Sequence, residues 1–220
     1  MNLEPAFRFL RALKRNNNRE WFERHKGQYQ IARHAFEEFL EALHEELVRF
    51  DESMVGLNPR KAAFRIYRDV RFSKDKRPYK TNMGAAFSAH GKMEQEPGYY
   101  IHVEPGNCFV AGGLYMPDAA NLARVRQEID YNGKALLDVL NQRSFKRFFG
   151  GLDDFDKLKT VPKGYPKDHP HIDLLRHKSF VASHMLNDNV LLQRTAVMRV
   201  AAVCRAVKPL NDFLKMALEE

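Results

Sequence analysis

A stretch rich in arginine and lysine, residues 65–80, holds the residue types best suited to chemistry in this chain. Guanidinium groups form paired hydrogen bonds with phosphate, and aromatic side chains placed between cations can stack on nucleic-acid bases. The residues expected to bind an anion are Arg65, Arg68, Arg71, Lys74, Lys76, Tyr79 and Lys80. The stretch therefore predicts a binding site for phosphate or another anion, with nucleotides and nucleic acids among the ligands.

The positive charge of the chain is concentrated around this stretch. Residues 60–80 carry nine Lys and Arg against two Asp, a formal charge of +7, and the whole chain carries +8. The remaining residues hold 27 Lys and Arg against 26 Asp and Glu. A local positive field of this kind attracts anions, although an ordinary solvated surface is the alternative explanation.

The segment Ala63–Phe72 alternates like a β-strand, so its side chains are expected to divide between two faces. One face would hold Arg65, Tyr67, Asp69 and Arg71, and the other Phe64, Ile66, Arg68, Val70 and Phe72. Because a buried guanidinium is costly unless paired, we expect Arg68 to meet an internal acid, or a bulge to rotate it outward. Asp69 could orient a neighbouring arginine, or act as a general base or metal ligand.

Three residues are candidates for proton transfer: Asp69, His102 and Tyr79. His102 alternates with Ile101 and Val103 on a predicted strand, and could face either a cleft or solvent. The histidines at positions 169, 171, 177 and 184 match no zinc-binding spacing, and no nucleophile or nucleotide-binding motif is present. We therefore expect no metal and no cofactor.

The order of predicted elements is helices, then strands, then helices, which is typical of an α+β fold. We predict one domain over residues 1–220, with a central, mostly antiparallel sheet at about residues 62–114 between N-terminal and C-terminal helices. A break is expected near Gly27, a hairpin turn at residues 105–107, and a bulge or close backbone approach at Gly112 and Gly113. Further expectations are separate helices before and after Lys134, a strand at 180–185, a helix from Asp188 to Val207, and a last helix after Pro209.

Composition predicts a cytoplasmic protein that does not enter a membrane. Neither a basic segment followed by an apolar run at the N-terminus nor an apolar window of membrane-spanning length is found. The two cysteines, Cys108 and Cys204, lie among apolar neighbours, and we interpret them as small buried residues. A disulfide framework is excluded by their number.

Several motifs resemble those of a bacterial family known as domain of unknown function 2461. The longest is Arg65-x-x-Arg68-Asp69-x-Arg71-Phe72, continued by Asp75-Lys76-x-Pro78-Tyr79-Lys80. Others are Asn17-Asn-Arg19-Glu20-Trp21-Phe22, Gly98-Tyr-Tyr100-Ile-His102, Gly112-Gly113-Leu-Tyr115, Pro162-Lys163-Gly164-Tyr165 and Leu174-Leu175-Arg176-His-Lys178. The resemblance extends over nearly the whole chain. It implies membership of an uncharacterised family and no particular activity, cofactor or catalytic residue.

Three functions are compatible with the sequence. The protein could be a binding module that holds a phosphorylated ligand or nucleic acid through residues 65–80. It could be an enzyme acting on a phosphorylated small molecule, with Arg65 and Arg71 holding the phosphate. Alternatively, the arginines could form internal ion pairs that fix the fold without a ligand. The arrangement of these side chains in space distinguishes the three.

Overall fold

A four-stranded antiparallel sheet lies at the centre of the protein, whose computed structural model describes residues 2–91 and 95–219. The strands are β1 (Met83–Ser88), β2 (Gly98–Val103), β3 (Cys108–Leu114) and β4 (Phe180–Leu186), in the spatial order β1-β2-β3-β4. Gly106, with φ of +82°, forms the predicted turn between β2 and β3. The α+β prediction, with helices on both sides of the sheet in sequence, is confirmed.

Helices precede and follow the strand region. The N-terminal helices are α1 (Glu4–Arg15), α2 (Arg19–Arg24), α3 (Lys26–Val48) and α4 (Pro59–Ala62). The later ones are α5 (Ala119–Asn141), α6 (Arg143–Lys146), α7 (Ile172–Leu175), α8 (Asp188–Leu191) and α9 (Ala196–Glu219). Within residues 2–91 and 95–219, none of the helices combines the length and the apolarity that crossing a membrane requires.

The sheet has two different faces because side chains alternate along each strand. On β2, Tyr99, Ile101 and Val103 are fully buried in the core that α1, α3 and α9 share with the sheet. Tyr100 and His102 point to the opposite face. Both cysteines are buried and reduced, in agreement with their interpretation as small core residues.

Residues 63–72 do not form the predicted strand. Ala63 makes an isolated bridge to Ala85 of β1, and Tyr67 makes another to Tyr79, but the segment has no continuous ladder. Of the predicted apolar face only Ile66 is buried, whereas Phe72 is 95% exposed. The prediction fails because alternation alone does not supply a partner strand, and Pro78 opposite has no N–H to continue a ladder. The sheet instead gains its fourth strand, β4, from outside residues 62–114, where a strand was predicted.

The break expected near Gly27 is present two residues earlier, at His25. Two other predicted helix boundaries are wrong. One helix, α5, runs through Lys134, with a kink at Asn132 in place of the predicted separation. The predicted helix from Asp188 to Val207 is divided between α8 and α9, and α9 continues through Pro209. Although proline removes one backbone hydrogen bond, buried residues on both sides of it keep α9 in the core.

The sheet packs on α9 through a glycine of β3. A Cβ atom at Gly112 would lie 2.3 Å from Cγ1 of Val207, so only glycine lets the strand and the helix approach this closely. The next residue, Gly113, has φ of +123° and lies against the carbonyl of Phe180 on β4. The close backbone approach predicted for this glycine pair is therefore confirmed.

Replacing Gly112 with alanine is expected to destabilise the fold by about 1–3 kcal/mol, because the added methyl group overpacks the contact with Val207. Urea unfolding measures the effect. The double variant with Gly112→Ala and Val207→Ala should lose less free energy of unfolding than the two single variants lose together, since the smaller helix residue accommodates the methyl group. Gly150→Ala, where a Cβ meets no atom within 4 Å, is the matched control. Additive effects at positions 112 and 207 would contradict this packing argument.

Candidate functional site

The basic segment, residues 65–80, folds as an irregular hairpin beside β1. Its two arms are joined by backbone hydrogen bonds from Arg68 to Pro78 and from Lys80 to Ile66, at 2.9 and 2.8 Å. At its base, the N–H of Phe64 donates to the carbonyl of Gly84. The hairpin is thus attached to the sheet at one end, and its middle projects from it.

Two Asp-x-Arg turns of the same geometry shape the hairpin. In each, the aspartate accepts the backbone N–H of the arginine two residues later and also pairs with its guanidinium group, at 2.7 Å for Asp69–Arg71 and for Asp75–Arg77. Arg68 joins the second turn, donating to Asp75 at 2.7 Å and to the carbonyl of Arg77. The arginine pairs keep the pKa values of both aspartates below their ordinary value. Arg68 therefore meets an acid, and Asp69 orients an arginine.

Tyr79 lies on the helical side of the hairpin. Its ring stacks on Phe22 with centroids 4.0 Å apart, and its backbone exchanges two hydrogen bonds with the side chain of Asn17. Burial raises the pKa of Tyr79. This position makes Tyr79 an anchor of the hairpin, and it does not line the pocket described next.

A pocket of about 640 Å³ lies on the face of the sheet opposite α9. The alternating strand residues that line it are Ala86, Tyr100, His102, Phe109, Ala111, Val181 and Ser183. Those that come from outside the strands are Phe64, Lys80, Tyr115, Asp153 and Phe155. Its wall is therefore largely aromatic, with a small number of polar groups among the rings, which is the usual composition of a small-molecule site.

The main polar feature of the pocket is a line of three side chains: Tyr100 and His102 on β2, and Glu104 directly after the strand. The hydroxyl of Tyr100 lies 2.9 Å from Nδ1 of His102, and Nε2 of His102 lies 3.5 Å from Oε2 of Glu104. The imidazole is stacked on Phe109, with ring centroids 4.6 Å apart. Residues at i, i+2 and i+4 of a strand share a face, so the strand itself places these groups in sequence.

Burial and hydrogen bonds determine the protonation states of the three side chains. It lowers the pKa of His102 below its ordinary value, and the nearby Glu104 only partly opposes this effect. Burial also raises the pKa of Tyr100 to about 12. Burial alone would raise the pKa of Glu104, but hydrogen bonds from Thr81, Asn107 and His102 outweigh this effect and lower the pKa. At neutral pH the line therefore consists of a phenol, a neutral imidazole and a carboxylate.

The pocket also holds a second polar pair and a cation. Ser183 of β4 donates from its hydroxyl to Asp153 at 2.6 Å and from its backbone N–H to the same carboxylate. Lys80, the last residue of the basic segment, places its Nζ 5.4 Å from the ring centroid of Phe64. The pocket thus combines aromatic surface with the ammonium group of Lys80, with hydroxyl groups and with the carboxylate of Asp153.

Of the residues predicted to bind an anion or to transfer a proton, Lys80 and His102 line this pocket. Asp69, Arg71 and Tyr79 lie elsewhere on the hairpin, so the predicted clamp with its proton-transfer groups does not converge. Sequence analysis missed Tyr100 and the Ser183–Asp153 pair. The alternation of β2 could have indicated Tyr100, since it shares a face with His102, whereas the second pair joins residues 30 positions apart.

The four histidines whose spacing matches no zinc site make other contacts. His169 pairs with Asp130 at 2.9 Å, and its Nδ1 accepts a hydrogen bond from the backbone N–H of His171. His184 lies 2.8 Å from the carbonyl of Phe148, and His177 is buried near Asp154. Across residues 2–91 and 95–219, no group of three or more His, Cys, Asp or Glu side chains is arranged to hold a metal ion.

Comparison with known proteins places the chain in one family. No curated protein and no solved structure is significantly similar to it. The model of the family described as "Conserved hypothetical protein (DUF2461)" matches residues 5–213, nearly the full length. This match agrees with the resemblance of the motifs. The chain is a member of the DUF2461 family of conserved hypothetical proteins.

Proposed function

We propose that the protein binds a small organic anion with a planar or aromatic body, in the pocket on the sheet face opposite α9. The observation that carries the proposal is the placement of Lys80 in the wall of an otherwise largely aromatic pocket of about 640 Å³. Pockets of about 300–1,000 Å³ are typical of small-molecule sites. The anionic group would be a phosphate, carboxylate or sulfonate that approaches the ammonium group.

The aromatic side chains support a planar ligand. Phe64, Tyr100 and Phe109 form one cluster, with centroids 6.2 and 5.7 Å apart, and Tyr115 faces Phe155 at 5.9 Å. Phe64, Tyr115 and Phe155 remain partly exposed. Exposed apolar groups gathered at one place mark binding sites, because isolated domains normally bury such surface.

Lys80 is the candidate counter-ion for the ligand because of its position: it lines the pocket, and none of the arginines of the basic segment does. Arg68, Arg71 and Arg77 already pair with carboxylates inside the hairpin, so a ligand would have to compete with an existing ion pair. These pairs support the structural interpretation of the three arginines. The choice of Lys80 rests on its place in the pocket wall.

The fluorescent aromatic anion anilinonaphthalene sulfonate is a suitable probe for this site. We expect saturable binding to the folded protein, weakened roughly tenfold by Lys80→Met, since a charge-assisted contact contributes about 1.4 kcal/mol or more. Ala111→Trp should abolish binding by filling the pocket, whereas Lys76→Met, which removes the same charge from the exposed hairpin, should leave it unchanged. Fluorescence titration measures all four proteins. Equal effects at positions 76 and 80, or binding unaffected by Ala111→Trp, would refute the proposal.

A second candidate function is the binding of single-stranded nucleic acid by the tip of the basic segment. Phe72 is 95% exposed there, with the guanidinium of Arg71 5.9 Å from its ring centroid and the exposed Lys74 nearby in sequence. An exposed aromatic ring among cations is the arrangement used for stacking on unpaired bases.

Short fluorescent oligouridine tests this second function. Binding should weaken steeply between about 50 and about 200 mM salt, and Phe72→Ser should reduce it while Val55→Ser, at another exposed apolar position, does not. Fluorescence anisotropy gives both affinities. Absence of binding at the lowest salt concentration would exclude the nucleic-acid hypothesis and would leave the pocket hypothesis unaffected.

A further inference from the structure

The polar line in the pocket has the connectivity of a base-activated hydroxyl. We propose that Tyr100 is a nucleophilic hydroxyl, that His102 is its general base and that Glu104 positions the imidazole, for reaction with an electrophilic acyl, phosphoryl or sulfonyl centre of a ligand held in the pocket. This inference rests on the proposed pocket and deepens it, because it assigns a reaction class to the site.

The hydrogen-bond partners fix the tautomer of His102. The carboxylate of Glu104 can only accept a hydrogen bond, so Nε2 of His102, 3.5 Å from Oε2, carries the ring proton and Nδ1 is an acceptor. The hydroxyl of Tyr100, 2.9 Å from Nδ1, therefore donates to it. A carboxylate, an imidazole and a hydroxyl in this order reproduce the roles of the acid, base and nucleophile in hydrolase triads.

Glu104 is held in place from several directions. Thr81 donates to Oε1 at 2.8 Å, Asn107 donates to Oε2 at 3.3 Å, and the ammonium of Lys14 lies 3.8 Å from Oε1. These contacts keep the carboxylate ionised and direct one oxygen toward His102. Such support orients an imidazole and stabilises the imidazolium that forms when it accepts a proton.

The backbone of β1 makes room for the Tyr100 hydroxyl. A Cβ atom at Gly84 would lie 2.7 Å from Oη of Tyr100, so a larger residue would displace the phenol. Gly84 is paired with His102 across β1 and β2, which brings the glycine, the phenol and the imidazole together. The hydroxyl is thus held within reach of its base, on a side chain that lines the pocket.

The reaction balances without another reactant. The Tyr100 oxygen forms a bond to the electrophilic centre, the bond to the leaving group breaks, and the leaving group departs with that electron pair. The phenolic proton passes to Nδ1 of His102, producing an imidazolium paired with Glu104. Because burial raises the pKa of Tyr100 to about 12, the phenol does not ionise by itself near neutral pH, and proton removal depends on the base.

Benzenesulfonyl fluoride is the probe, since its reaction with a hydroxyl releases only fluoride and a proton. We expect the sulfonyl group on Tyr100, located by peptide mass spectrometry, and much less on Tyr131, which is 73% exposed. The rate at Tyr100 should fall at least roughly a hundredfold in His102→Asn, as expected for loss of a general base. Tyr115, in the same pocket wall, serves as an internal control whose rate should not depend on His102.

The pH profile separates a base from a structural residue. The titratable groups around His102 are Tyr100, Glu104 with its neighbour Lys14, and the other pocket groups Lys80, Asp153 and Tyr115. Labelling should fall as His102 becomes protonated, with a midpoint below about pH 6.5, the ordinary value for histidine, since burial lowers the pKa of His102, and it should reach a plateau at higher pH. Glu104→Gln removes the charge that favours the imidazolium, so it should move the midpoint to still lower pH and reduce the rate.

The possible outcomes distinguish this inference from the proposed pocket. If the dye binds with the expected dependence on Lys80 but Tyr100 is unlabelled, or is labelled equally in His102→Asn, the pocket stands and the activated hydroxyl is refuted. Labelling on Ser183 instead would also refute it. If neither dye binding nor labelling occurs in protein with a cooperative unfolding transition, both proposals fail. Selective, His102-dependent labelling of Tyr100 supports both.

Discussion

At Gly112 the backbone of β3 lies against Val207 of α9, closer than any side chain would permit. This contact closes one face of the sheet on the helices, and it decides what the other face can be. Residues paired across the strands share a face, so Tyr99, Ile101 and Val103 enter the core while Tyr100 and His102 must point away from it. A register shift of one residue would bury the imidazole and remove the pocket.

An antiparallel sheet packed on one side normally presents a polar, solvated second face. Here that face carries Tyr100, Phe109 and Val181, and it becomes a pocket because Phe64 and Phe155, outside the strands, contribute to the wall. The burial that results is responsible for the altered pKa values of Tyr100 and His102. The chemistry of the site therefore depends on the segments that border the sheet as much as on the strands.

Features that depend on residues close together in the sequence were predictable, whereas features that depend on contacts between distant residues were not. The strands from Met83 to Leu114 were predictable, since alternation and the turn at Gly106 are local signals. The segment 63–72 also alternates, but its conformation depends on ion pairs within the hairpin and on contacts of Tyr79 with Phe22 and Asn17, which no periodicity reveals. The pairing of Ser183 with Asp153 and the continuation of α9 through Pro209 likewise depend on tertiary packing.

The basic segment shows why a formal charge count overstates the charge available to a ligand. Each of the segment's two aspartates pairs with the arginine two residues later, and Asp75 also pairs with Arg68. The repeated Asp-x-Arg pattern therefore builds the turns of the hairpin. The cations at the two ends of this scaffold have different surroundings: Lys80 lines an aromatic pocket, whereas Arg65 is exposed. A charge beside apolar surface interacts more strongly with an anion than one surrounded by water. The proposed anion site therefore uses the end of the segment at Lys80, where the hairpin meets the pocket.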